Sequence, residues 1–166
     1  MRITNFVVRD AIIPSLVATT RNEVIGEMVR SIVAAGRLPD ANPEDVIEQV
    51  LRREEVGTTG IGYGIAIPHS RHHAVSELVG TLALSSVGIP FGATDEAPVF
   101  VLVLLVSPHD QATLHLRALN CVVQQMKDQD FVHRLRSCKT QDEIWDLLVS
   151  SSITQARVPG EAANSA

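Results

Sequence analysis

The chain has 166 residues, a formal net charge of −5 and 45% hydrophobic residues, with only 4% aromatic. That length suits one domain with a real core, and the composition excludes a disordered chain. The acidic balance gives no electrostatic footprint for nucleic acid, and the longest apolar run, Ala97–Val106, is strand-sized, which leaves no direct membrane insertion to expect.

The opening MRITNFVVRD carries charges where a secretory signal needs an apolar core. Thr20-Arg21-Asn22-Glu23 has the pattern of a capping box, and Val24, Ile25, Met28, Val29, Ile32 and Val33 then share one helical face until Gly36. Asn42-Pro43-Glu44 predicts a second helix with a cap, an N1 proline and an acid in the first turn. Val46, Ile47, Val50 and Leu51 form its stripe, and Arg52 and Arg53 fall in its last turn. Residues 61–67 alternate bulky and bare side chains, which predicts a strand. Val79–Val87 predicts another. Val99–Val106 is apolar on both faces, so it reads as a central strand covered on both sides, closed by Pro108.

Asp110 is placed to cap a helix from about Gln111 to Lys127, with Leu114, Ala118, Leu119, Val122, Val123 and Met126 inward. Phe131–Arg136 predicts a short helical piece. Thr140-Gln141-Asp142-Glu143 is a second capping box, opening a helix with Ile144, Trp145, Leu147 and Leu148 inward. After Ser150 the chain turns small and polar, so 1–150 reads as the domain and 151–166 as a flexible tail. Neither a repeat nor a linker is visible. The sum is a single α/β domain with helices on both faces of a sheet. Cys121 reads as a small core residue. Neither it nor Cys138 has CxxC or metal-ligand spacing, which fits a reduced, cytoplasmic compartment.

The stretch GIGYGIAIPHSRHH, residues 60–73, concentrates the chemistry. Gly60, Gly62 and Gly64 would flatten one strand face and let a backbone or a ligand approach closely. Pro68 fixes the backbone before His69 and presents its ring in one direction. A histidine held so beside open backbone suits a nucleophile; the alternative is tight packing around an ordinary histidine. The glycines precede no Lys-Ser/Thr pair and open no helix, so this is neither a Walker loop nor a dinucleotide fingerprint. His69, His72 and His73 invite a zinc reading, but no partnering Cys or HExxH spacing supports it, and no metal or cofactor is expected. Arg71, His72 and His73 read as an exposed loop, and His109 and His133 as surface residues.

"LRREEVGTTGIGYGIAIPH" resembles the enzyme IIA domains of the bacterial phosphotransferase system, of the fructose, mannitol and nitrogen-regulatory type. The resemblance continues through "GIPFGATDEAPVFVLVLLVSPHDQATLHLRALNCVV" and "LRSCKTQDEIWDLL" and covers about residues 10–148. It implies a mixed β-sheet sandwiched between helices in three layers. It implies that His69 accepts a phosphoryl group from a small phosphorylated histidine carrier protein of HPr or NPr type. It implies that His115 lies beside His69, where a hydrogen bond to the phosphoryl oxygens is the role expected of it; the alternative is a helix-face histidine without a role. Arg53 matches the family's arginine, a phosphoryl clamp by resemblance or, alternatively, a charge complementing its helix dipole. Tyr63 stands where nitrogen-regulatory members often carry Asn, which points to an altered rim near His69, and Ser70 is a further candidate for bonding the phosphoryl group.

Two functions follow from the resemblance. In the first, His69 passes its phosphoryl group to the cysteine of a separate enzyme IIB. In the second, the charge on His69 decides which regulatory target protein docks. A degenerate sensor that is never phosphorylated is a third, against which the presence of His69, His115 and Arg53 argues. Because a carrier must reach His69 directly, a shallow, apolar docking face is expected around it.

Overall fold

The computed structural model describes residues 1–155. Helix α1 (Arg21–Ala34) starts after Thr20, whose backbone is extended as a cap requires, though its hydroxyl makes no capping bond. Helix α2 (Pro43–Val56) starts as its sequence predicts: the Asn42 side chain accepts the Glu44 N–H at 2.9 Å, and Pro43 takes the first helical position. Together α1 and α2 form one outer layer.

The sheet is built around β5 (Val99–Pro108). On one side β4 (Val79–Ile89) runs antiparallel to it, with Leu82 opposite Val103. On the other side two short strands follow one another along the same edge, both parallel to β5. The first is β2 (Ile65–Ala66), with Ile65 opposite Val101, and the second is β3 (His69–His72), with His69 opposite Leu105. Strand β1 (Gly60–Gly62) pairs antiparallel with β2 at the outer edge. The second outer layer holds α3 (Ala112–Met126), α4 (Gln129–Ser137) and α5 (Gln141–Gln155). The result is the three-layer α/β sandwich with a mixed sheet.

Alternation along β5 divides the core. Val101, Val103 and Leu105 pack with Ala118, Val122, Leu135 and Ile144 of α3–α5. Leu102, Leu104 and Val106 pack with Val24, Met28 and Val50 of α1 and α2. Each of these side chains is buried, at about 1.5–3 kcal/mol apiece relative to exposure for all but Ala118, and this is why β5 carries no polar face.

Four expectations need correction. Residues 61–67 are not one strand but a hairpin, β1 to β2, turning at Tyr63 and Gly64 with φ of 57° and 77°. Two positive φ values are what a tight hairpin turn needs, so the alternation of glycines imitated a strand period while encoding a turn. Gly60 does permit a close approach, but of the chain to itself: a Cβ there would lie 2.7 Å from that of Ala93. Second, Arg71 and His72 are not in a loop; they complete β3, and His72 is buried. Third, Asp110 does not cap α3, whose cap position is Gln111 without a side-chain bond. Fourth, α4 begins earlier than expected because the Asp128 carboxylate caps it, accepting the Phe131 N–H at 3.1 Å.

The second capping box is half formed. Thr140 accepts the Glu143 N–H, while the Glu143 carboxylate reaches back to the N–H of Lys139. Helix α5 runs to Gln155, into the stretch expected to be a tail; the remainder of that stretch, 156–166, lies outside the described residues. Cys121 is half-buried at the edge of the core rather than within it. Among the described residues no helix is long and apolar enough to cross a membrane.

Candidate functional site

The start of β3, the end of β5 and the first turn of α3 meet at one place. His69 opposes Leu105, and Arg71 opposes Ser107; Leu105 packs with the α3 layer, so strand alternation turns both β3 side chains toward α3. His115 lies in the first turn of α3 and is 8% exposed. Its ring centroid is 5.3 Å from that of His69, with the planes tilted by 53°.

The tautomer of His69 follows from its partner. Its Nδ1 is 2.7 Å from the carbonyl oxygen of Ile67. A carbonyl only accepts, so Nδ1 carries the hydrogen and Nε2 holds the lone pair. Pro68, between the two, locks the geometry that closes this small ring. Burial lowers the His69 pKa, and the charge of Arg53 acts in the same direction, against the Ile67 bond and Glu54. The ring is therefore neutral at neutral pH, with a free nucleophilic nitrogen.

His115 is also neutral. Burial, then the charges of His69, Arg71 and Arg53, push its pKa down from 6.5 to about 4. Its Nδ1 shares a short hydrogen bond with the hydroxyl of Ser107, which is fully buried on β5. A hydroxyl can donate or accept, and in the arrangement where it donates to Nδ1 the imidazole hydrogen is on Nε2.

Arg53 is half-buried at the end of α2, and its Nη1 donates to the carbonyl of Gly57 at 2.9 Å. It satisfies a carbonyl just past its helix, and its positive charge is felt by both histidines. The Gly57 bond is what the helix-end reading expects, and the charge lies close enough to lower the pKa of both histidines. Its neighbour Glu54 was not singled out from the sequence. It is buried, and its carboxylate accepts both the N–H and the hydroxyl of Thr59, at 2.8 and 2.5 Å. That pair of hydrogen bonds pins the loop between α2 and β1. An acid at a helix end, followed by a Gly-Thr-Thr-Gly loop, was the signal available for it.

The remaining residues separate. The Ser70 hydroxyl donates to the Arg71 carbonyl, and Ser70 faces away from His69 by strand alternation. His72 is on that same far face, its Nδ1 accepting the Ala74 N–H at 3.0 Å. His73 is exposed and stacks on His109, with centroids 3.9 Å apart. The three histidines of the zinc reading therefore point to three different places, and among the described residues no group of three or more His, Cys, Asp or Glu could hold a metal ion. Arg71 donates to the His109 carbonyl at 2.9 Å and so is fixed beside the His69–His115 pair. Tyr63 belongs to another part of the surface as well. It lines a cleft with Val123, Met126 and Lys127, at the end of α3 away from His115.

Two neutral histidines and two arginine charges around a nitrogen lone pair suit transfer of an anionic group. The comparisons agree on the lineage. The profile of the family described as "Phosphoenolpyruvate-dependent sugar phosphotransferase system, EIIA 2" matches residues 5–151. The nitrogen regulatory protein of Bradyrhizobium diazoefficiens is 32% identical over 94% of this chain and 100% of its own length. The PTS system 2-O-alpha-mannosyl-D-glycerate-specific EIIABC component of Escherichia coli is 30% identical over 93% of this chain, which spans 24% of that longer protein. Among solved structures, the nitrogen regulatory protein IIA-Ntr from Neisseria meningitidis superposes with a TM-score of 0.80 over 88% of this chain and 98% of its own, at 23% identity, a likeness of fold. Matched along nearly its whole folded length, this chain belongs to the EIIA 2 family of the phosphoenolpyruvate-dependent sugar phosphotransferase system.

Proposed function

We propose that the protein is a phosphoryl carrier in which Nε2 of His69 takes a phosphoryl group from the phosphohistidine of a small carrier protein. The observation that supports this most is the Ile67 carbonyl bond at 2.7 Å, which leaves Nε2 unprotonated and aimed. The Nε2–P bond forms as the donor's N–P bond breaks. A donor ring protonated on its other nitrogen leaves as a neutral imidazole, and His69 keeps its Nδ1–H, so charges and protons balance without an added base. The two N–P bonds are similar in kind, and the protein supplies position and charge rather than driving force.

Each neighbour has a role in this reading. His115 Nε2–H donates to a phosphoryl oxygen, with Ser107 holding the ring's other nitrogen. Arg53 supplies positive charge to the transferring group. The Ile67 carbonyl stabilises the ring when it carries phosphate, and keeps it a competent leaving group. Leu116, beside His115 on α3, is 65% exposed and gives a docking carrier an apolar foothold.

Onward use takes one of two forms: transfer to the cysteine of a IIB-type acceptor, or control of a target protein by the added charge. The end-to-end match to a nitrogen regulatory protein supports the second. The experiment is incubation with a phosphorylated carrier, followed by intact mass and acid-stability measurements on the native protein and His69→Ala. Acid-labile labelling that His69→Ala abolishes is expected. Efficient labelling of His69→Ala removes the assignment.

A further inference from the structure

The cleft between the β1–β2 hairpin and helices α3 and α4 has no part in the phosphoryl-transfer reading. Its far lining residue on α3, Met126, is eleven positions from His115, about 16 Å along the helix axis. We propose that this cleft is a binding site for a small anion with an apolar body, such as a medium-chain or aromatic carboxylate or sulfonate.

The cleft encloses about 610 Å³, within the size range of small-ligand sites. Its walls are Ile61, Ile65, Val123, Met126 and Val132, a surface that prefers hydrocarbon to water. Its polar lining residues are Lys127, Gln129, His133 and Arg136, and none of the residues lining it is acidic. Among the described residues neither Lys127 nor Arg136 has an ion-pair partner, a state they share with Arg2, Arg21, Arg117, Arg134 and Lys139, so what sets these two apart is their place in the lining. Arg136 is nevertheless held in place, its guanidinium 4.0 Å above the Phe100 ring. The lining itself thus carries two cations and no acid, with Asp95 behind the hairpin and Asp128 and Asp130 next to the lining residues in sequence. An apolar anion satisfies both the walls and the cations.

Tyr63 adds a second line. It holds φ of 57°, a region where a non-glycine residue is strained by of order 1 kcal/mol, and Asp95 fixes it there by accepting its N–H at 3.1 Å. The fold gains little from the ring, which is 81% exposed while lining the cleft. A flat apolar body in the cleft gives that ring a stacking partner. Ile61, its neighbour on the hairpin, is exposed in the same way.

The test is titration of the full chain with decanoate and with 8-anilinonaphthalene-1-sulfonate, by calorimetry and by backbone amide NMR, with decyltrimethylammonium as the control of opposite charge. Saturable one-to-one binding of the anions is expected, with shifts at residues 61–65 and 123–136, and none for the cation. Lys127→Glu should weaken both anions about tenfold, the size of one lost charge-assisted contact. Tyr63→Gly, which relieves its own backbone strain and leaves the fold intact, should weaken the aromatic sulfonate more than decanoate. Equal binding of anion and cation, indifference to Lys127→Glu, or shifts confined to other surfaces overturns the proposal. So does saturable binding of an acidic, leucine-rich peptide with none of either small anion, which would make the cleft a protein-docking groove.

Discussion

The Nδ1–H of His69 is spent on the carbonyl of Ile67, two residues earlier in the same chain. One local hydrogen bond thus decides which nitrogen is available for chemistry. Because Pro68 bridges the pair, the decision is made by the sequence Ile-Pro-His itself and needs no other element.

Removing either helper should slow transfer without relocating it. His115→Ala and Arg53→Ala should each lose about 1.5–3 kcal/mol of transition-state stabilisation, roughly ten- to hundredfold in rate. Rapid-quench measurement of phosphoryl uptake from a carrier reads this directly. Rates unchanged in both variants would mean that the charge and the hydrogen bond act elsewhere.

Ser107→Ala tests the orientation of His115 apart from its presence. The hydroxyl is buried and hydrogen-bonded to the His115 ring, so its loss frees that ring to change tautomer. Transfer should slow about tenfold, the unpartnered buried nitrogen should cost roughly 1–3 kcal/mol of stability, and the His115 ring nitrogen shifts in NMR should show a mixed tautomer. A full-rate variant with an unaltered tautomer rules out the role.

Stability should fall on the acid side. The folded pKa of His115 is about 4, against 6.5 unfolded. Below pH 6.5 the unfolded chain takes up this proton first, so its contribution is fully present above pH 6.5 and is lost as the pH drops toward 4. The slope is at most about 1.4 kcal/mol per pH unit. His69, lowered by burial, acts in the same direction. Urea unfolding at several pH values, compared between the native protein and His115→Gln, isolates the contribution. The variant's curve should be flatter between pH 6.5 and 4.5, and parallel curves would contradict the assignment.

Glu54→Gln should cost about 1–3 kcal/mol of stability. A glutamine offers one acceptor oxygen where Thr59 presents two donors, and its NH₂ then faces a donor in a buried site. Denaturant midpoints measure this, and a change under about 0.5 kcal/mol would show that the loop is held by other means.

The sequence revealed helices better than strands, for physical reasons. Asn42-Pro43 and Thr140 announce their helices through local capping, and the two-sided apolarity of β5 announces a central strand. The β1–β2 hairpin was illegible because glycine alternation serves a strand face and a turn equally, and only the positive φ at Tyr63 tells them apart. Of the site, His69 stood out through the glycines and the Pro68 before it, whereas its phosphoryl role, and His115 and Arg53, came from resemblance to a family. Ser107 and Glu54 were missed because a buried serine and a helix-end acid look ordinary until β5 meets α3 and the loop folds back on α2. Arg71 read as loop because His72 and His73 beside it look polar, although β3 buries His72.

Phosphoryl transfer turns on one atom, Nε2 of His69, and nitrogen-15 NMR of the phosphorylated protein reads it. With uniformly labelled protein and a phosphorylated carrier, the phosphorus should couple to Nε2 of His69, with Nδ1 still protonated and bonded to the Ile67 carbonyl. Phosphorus on Nδ1 of His69, or on His115, His72 or His73, would contradict the account.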